Sequence, residues 1–199
     1  MTNTHTNESG RSMIEMLGVL AIIGVLSVGG IAGYSQAMSK FKVSKTTDQI
    51  QTMVTNIRTL FAGQRSYDGL EKATTAYTMG IYTDETYIGS GDTGTNAYGG
   101  TIQLSTADNA HQFVIAYAGI PNDACVRMIM SDWGDSSSGF VGLSVTAADT
   151  KSDTKADEAI TPAYSTAAKG SSGGFPIGLT AAVGACNHTD LNTITWVYR

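Results

Sequence analysis

Few residues in this chain are of a type and spacing to do chemistry, and the most conspicuous is a carboxylate. The segment Gly10-Arg11-Ser12-Met13-Ile14-Glu15-Met16-Leu17 opens a run that carries no further charged residue until Lys40. A carboxylate within membrane-compatible sequence costs about 2.5–3.5 kcal/mol at the bilayer centre on insertion scales, so Glu15 calls for a partner and a task. The other reactive groups are Cys125 and Cys186. Neither stands near a second Cys or a His at zinc-ligand spacing. An even pair in an oxidising compartment reads as a disulfide, and in a cytosolic protein as two buried thiols. If bonded, the pair closes a loop of about 60 residues and adds about 4 kcal/mol by restricting the unfolded chain.

The usual catalytic signatures are missing. There is no phosphate-binding glycine loop, no Gly-x-Ser-x-Gly and no His-Glu-x-x-His. His5 lies in the extreme N-terminal stretch, His111 at a strand entry and His188 in a loop, and all three read as structural or solvated. Asp149, Asp153, Asp157 and Glu158, interleaved with Lys151 and Lys155, match no calcium-loop spacing. Asn187-His188-Thr189 fits a glycosylation acceptor, a pattern short sequence often produces by chance. The sequence therefore points to no enzyme, no metal and no cofactor.

The elements that must carry Glu15 are legible. The uncharged run from Met16 to Ser39 is long enough to cross a bilayer core of ~30 Å at ~1.5 Å per residue. Beyond Phe41 the chain turns polar, but Ile50, Met53, Val54, Ile57, Leu60 and Phe61 keep helical spacing and form one apolar stripe. No proline precedes Pro121, so one helix from about Ser12 to about Ala62 is predicted, with Gly63 as its stop. Charged residues are only 15 % of the chain and glycines number 23, a composition that favours a β-rich, turn-rich remainder. The net charge is −5: residues 11–65 carry six bases and two acids, residues 66–199 six bases and fourteen acids. An acidic globular part excludes nucleic acid as its partner.

Residues 10–61 resemble the type IV pilins. In that family a short leader ends in Gly, a prepilin peptidase cuts there, and a Glu lies five residues into the mature chain within an apolar helix. The resemblance implies cleavage between Gly10 and Arg11, with Glu15 at the fifth mature position. It implies that Glu15 pairs with the α-amino cation of Arg11 on a neighbouring subunit and so fixes the axial register of a filament. The implied partners are copies of the chain in a helical filament, the prepilin peptidase, the inner-membrane assembly machinery and membrane lipid. The implied location is the inner membrane before assembly and the extracellular pilus after it. Glycines 18, 24, 29, 30 and 33 would permit close helix approach.

The order of a Gly-Gly strand near Gly99-Gly100, the strand Gln112–Tyr117, Ile120-Pro121 and a short helix bearing Cys125 is similar to the globular part of type IVb pilins, especially those of conjugative thin pili. In that group the segment between the two Cys, here residues 126–185, tends to face outwards.

The expectation is an α+β protein with three parts: a leader over 1–10, a long helix over 11–63 that spans the membrane at about 13–36, and a β-rich head over 64–199. Within the head, Tyr77–Tyr82 and Glu85–Ile88 are predicted as strands or turns, Gly89–Gly100 as a surface loop, Thr101–Leu104 and Gln112–Tyr117 as a hairpin, and Phe140–Val145 as a strand. Ala147–Gly174 reads as an exposed loop, and Asn192–Arg199 as a terminal strand docked in the sheet. The expected function is a structural pilin. The alternatives are a secretion pseudopilin or minor pilin, or a domain exported by an ordinary signal peptide cut after Ala32 or Ala37.

Overall fold

A computed structural model describes residues 8–89, 92–154, 162–166, 174–188 and 191–199. The chain divides into two compact units, Met1–Phe41 and Lys42–Arg199. Helix α1, Glu8–Phe61, contributes to both. Its threonines do not break it, because Thr47, Thr52, Thr55 and Thr59 each donate a hydroxyl hydrogen bond to the carbonyl four residues back, at 2.8–3.0 Å. The helix begins upstream of the predicted start and ends at Phe61. Gly63 is not left-handed, so the predicted glycine stop is not the device used. Instead the Gln64 amide closes on the Phe61 carbonyl at 2.9 Å.

In the second unit Ile50, Met53, Val54, Ile57 and Phe61 are buried, while Leu60 is 40 % exposed. At about 100° per residue Leu60 lies roughly 80° off the line through Ile50, at the rim of the stripe.

The stripe packs on an antiparallel sheet of order β1-β2-β3-β6-β4-β5. The strands are β1 Gly94–Thr95, β2 Thr101–Ala107, β3 Gln112–Ile120, β4 Phe140–Ala148, β5 Tyr164–Ser165 and β6 Leu191–Tyr198. Register decides which side chains meet the helix. Phe113, Ile115 and Tyr117 of β3 stand opposite Tyr198, Trp196 and Ile194 of β6. All six are buried and belong with Ile50, Met53 and Ile57 to one hydrophobic core. The Tyr117 hydroxyl sits 3.6 Å from Met53 Sδ.

The docked terminal strand is the middle of the sheet, flanked by β3 and β4. Thr193, Thr195 and Val197 are buried as well as the residues between them. The Thr193 hydroxyl is taken up by the Asp153 carbonyl, and the Asn192 amide by the Ile120 carbonyl at 3.2 Å and Asn122 Oδ1 at 2.7 Å. The polar alternation of this strand therefore marks two covered faces rather than one wet face.

Other elements differ from the sequence expectations. Residues 77–82 hold no strand: α2, Ala73–Thr78, ends there, and the amides of Ile81 and Tyr82 both turn back on the Ala76 carbonyl. The segment around Tyr87 makes a single bridge to Gly94. Within the expected 89–100 loop, Asn96 ties a turn, its Oδ1 accepting from the amides of Tyr98 and Gly100 and its Nδ2 donating to the Ala118 carbonyl. Stretch 147–174 is not all loop either: β4 runs to Ala148, the Lys151 carbonyl receives the Thr101 amide, and Tyr164–Ser165 forms β5. Lys155, Asp157 and Glu158 lie outside the described residues. Helix α3, Asn122–Ile129, carries Cys125 as expected, with Pro121 as its N-cap. Helix α4, Leu179–Ala185, has no counterpart in the sequence reading.

Candidate functional site

Two places in the chain bear on what it does, and each is described within its own unit. In the first unit, Gly10, Arg11 and Glu15 all lie on the backbone of α1, with Arg11 and Glu15 one turn apart. No large apolar side chain from Met13 to Tyr34 is buried: they stand 52–76 % exposed on all sides of the helix. Each such side chain left in water forgoes about 1.5–3 kcal/mol, so this surface demands lipid or protein around it. At Gly18, Gly24, Gly29, Gly30 and Gly33 an added Cβ would meet nothing within 4 Å, which leaves the backbone open to close approach.

In the second unit the chemistry is structural. Cys125 on α3 is bonded to Cys186 just after α4, with Cα atoms 5.8 Å apart and a separation of 61 residues. Both sulfurs are buried. The same corner is tied by Asn122 Nδ2 donating to the His188 carbonyl at 3.0 Å, and Asn122 in turn accepts from Asn192. The disulfide thus anchors α4 to the helix that follows β3.

A run of aromatic rings crosses the core. Phe61 meets Tyr67 at 5.3 Å, Tyr67 meets Phe113 at 4.9 Å, and Phe113 stacks on Tyr198 at 5.4 Å. Tyr198 meets Phe140 at 5.1 Å, and Phe140 meets Phe175 at 5.0 Å. Burial pushes the hydroxyls of Tyr82, Tyr117 and Tyr198 well above the ordinary tyrosine range. It pushes Tyr98 up to about 12, with Asp123 adding to the effect and Arg127 opposing it.

The remaining sequence candidates disperse. His111 is exposed and places Nδ1 2.9 Å from the Asp108 carbonyl, bracing the β2–β3 turn. His188 contributes its backbone carbonyl. No group of three or more His, Cys, Asp or Glu converges among the described residues. Sequence reasoning gave Trp133 no role. Its ring packs on Trp196 at 5.0 Å and its Nε1 donates to the Met128 carbonyl at 2.8 Å. A lone Trp beside a Met-rich helix end was the available signal.

Residues 40–199 match the family described as PilS N terminal. The chain is 28 % identical over 138 residues to the major structural subunit of bundle-forming pilus from Escherichia coli O127:H6 and from Escherichia coli O111:H-, over 67 % of this chain and 69 % of each relative. The crystal structure of TcpA, a type IV pilin from Vibrio cholerae El Tor biotype, superposes with a TM-score of 0.53. That likeness covers 79 % of this chain and 99 % of TcpA at 12 % identity, and so concerns the fold.

Proposed function

The chain belongs to the PilS N-terminal family, and from that premise we propose that it is a structural pilin that polymerises through its N-terminal helix into a type IV pilus. The observation that carries the reading is the fully exposed apolar segment of α1, joined in sequence to a sheet domain of type IV pilin fold. A helix apolar on every side is stable in two settings only, a bilayer or a bundle of like helices. Assembly exchanges the first for the second, and no bond of the head has to change.

Gly10 is the proposed end of a leader removed by a prepilin peptidase. Cleavage gives Arg11 an α-amino cation, and Glu15 of an adjoining copy is its proposed counter-charge. Two opposite charges in low dielectric attract strongly, and a helix shifted by one turn strands both. The pair therefore sets register more than it adds net stability. The proposed division is leader 1–10, assembly helix 11–63 and head 64–199, with the helix held in the inner membrane until the assembly machinery extracts it. The role is structural rather than enzymatic, like that of the bundle-forming pilus subunits.

N-terminal sequencing of the protein from membranes tests the processing step. A start at Arg11 supports it. A start at Gly33 or Met38 would mean ordinary signal-peptide export and would overturn the pilin assignment of residues 10–15.

A further inference from the structure

The head contains a cleft of about 440 Å³ whose walls are Trp133, Phe175 and Ile177 and whose polar rim includes Ser131, Asp132 and Thr166. Its hydrogen-bond inventory is one-sided. Ser131 Oγ donates to the Arg127 carbonyl at 3.0 Å, Trp133 Nε1 to the Met128 carbonyl, and Thr166 Oγ1 to the Phe140 carbonyl at 3.3 Å. The Gly134 amide donates to Asp132 Oδ1 at 3.0 Å, the Asp135 amide to Ser138 Oγ at 3.0 Å, and Pro176 has no N–H to offer. The side chains around the cleft have thus committed their protons to their own fold. They present to a guest lone pairs, the Asp132 carboxylate and two aromatic surfaces.

We propose that this cleft receives the side chain of a lysine or arginine from a second copy of the chain. A guest that satisfies such a lining must bring several N–H donors, positive charge and an aliphatic stem, which is the chemistry of those two residues. Among the described residues, no side chain of the cleft holds an uncommitted neutral proton for an anion. The inference rests on the filament reading, which brings copies side by side, and on the charge layout. Residues 11–65 carry six bases against two acids and residues 66–199 six against fourteen, so neighbouring copies have complementary charge to offer. Lys40, Arg65 and Lys72 are exposed, and none has an acidic partner at ion-pair distance among the described residues. Lys45 is already engaged with Glu85 at 2.9 Å.

Charge exchange in the full chain, expressed as sole subunit, tests the contact. Asp132→Lys is expected to cut filament yield by about tenfold or more, as loss of a desolvated charge pair does, while the purified protein, which loses only the bond from the Gly134 amide, still melts cooperatively. Combining it with Lys40→Asp, Arg65→Asp or Lys72→Asp is expected to restore yield in one of the three pairings. Normal yield from Asp132→Lys, or a loss that none of the three restores, overturns the proposal. Absence of filaments from the wild-type chain overturns the pilin reading instead. A second measurement is independent of assembly. In NMR titrations of the full chain in detergent, Nα-acetyl-lysine methylamide is expected to shift the Trp133 indole proton saturably, and Nα-acetyl-norleucine methylamide is not. Asp132→Asn is expected to abolish the shift. Equal responses to the two probes, or an unchanged response in Asp132→Asn, contradict the cleft's assignment.

Discussion

Arg58, near the end of α1, holds its guanidinium 5.2 Å from the centroid of the Tyr198 ring and donates through Nη2 to the Arg199 carbonyl at 3.3 Å, across a separation of 141 residues. Gly139 makes room for the contact, since a Cβ there would fall 2.5 Å from the Arg199 oxygen and 2.6 Å from Arg58 Nη2. The helix and the central strand are thereby latched at the edge of the core. Arg58→Ala is expected to lower head stability by about 1–2 kcal/mol. A double-mutant cycle with Tyr198→Leu, read by urea denaturation, checks it. Additive losses would show that the latch contributes nothing.

The disulfide joins α3 to the residue that follows α4. Replacing Cys125 and Cys186 together by Ala is expected to cost about 2–5 kcal/mol. The melting temperature of the wild-type protein should fall on reduction and that of the double variant should not. Equal melting of the wild type with and without reductant contradicts this.

Gly100 lies where backbone meets backbone: an added Cβ would sit 2.0 Å from the Ala118 carbonyl oxygen. Gly100→Ala is expected to cost more than about 2 kcal/mol, because β2, β3 and the Asn96 turn must separate to admit the methyl. Gly63→Ala, where nothing lies within 4 Å and φ is not positive, serves as control and is expected to change stability by less than about 0.5 kcal/mol. Comparable effects at the two sites would contradict the packing described.

How much of this was legible in the sequence depends on what each residue answers to. The long helix was, because periodicity over many turns and a lack of proline are local facts. The β2–β3 hairpin and the Cys125 helix were legible for the same reason. The central place of β6 was not. The alternation of residues 192–199 marks a strand, but its pairing with β3 and β4 and the burial of Thr193 against the Asp153 carbonyl depend on segments distant in sequence. Helix α4 was hidden by its brevity; Leu179-Thr180-Ala181-Ala182-Val183 shows no full turn of pattern, and the disulfide holds it in place. The donor-poor cleft beside Trp133 was invisible, since it depends on where each hydroxyl sends its proton.

Alkaline pH is expected to unfold the head. Tyr82, Tyr98, Tyr117 and Tyr198 all have folded-state values raised above 10.0, burial being the first cause in each. The unfolded chain then releases these protons at lower pH than the folded chain. The stability they confer is full below pH 10 and is lost as pH rises from there through about 12, the value of Tyr98. Circular dichroism from pH 8 to 12.5 should show a cooperative transition accompanied by tyrosinate absorbance. Ionisation of Tyr82, Tyr98, Tyr117 and Tyr198 themselves at pH 10 with no loss of structure, followed by residue-resolved NMR, would refute the burial argument.

Glu15→Ala is expected to be processed and inserted in membranes normally yet to assemble poorly, because the pairing proposed for Glu15 acts only between copies. The check is the ratio of sheared pilus protein to membrane-held protein in cells with the variant as sole subunit. A ratio equal to wild type removes Glu15 from assembly.

The claim that the bare apolar surface of Met13 to Tyr34 exists to be covered by other copies is tested most directly by electron microscopy of material sheared from cells that hold this chain and a complete assembly machinery. The account expects filaments that contain the chain and disappear when its gene is deleted. Correctly trimmed protein that remains monomeric in the membranes of such cells, with no filament in the sheared fraction, would contradict it.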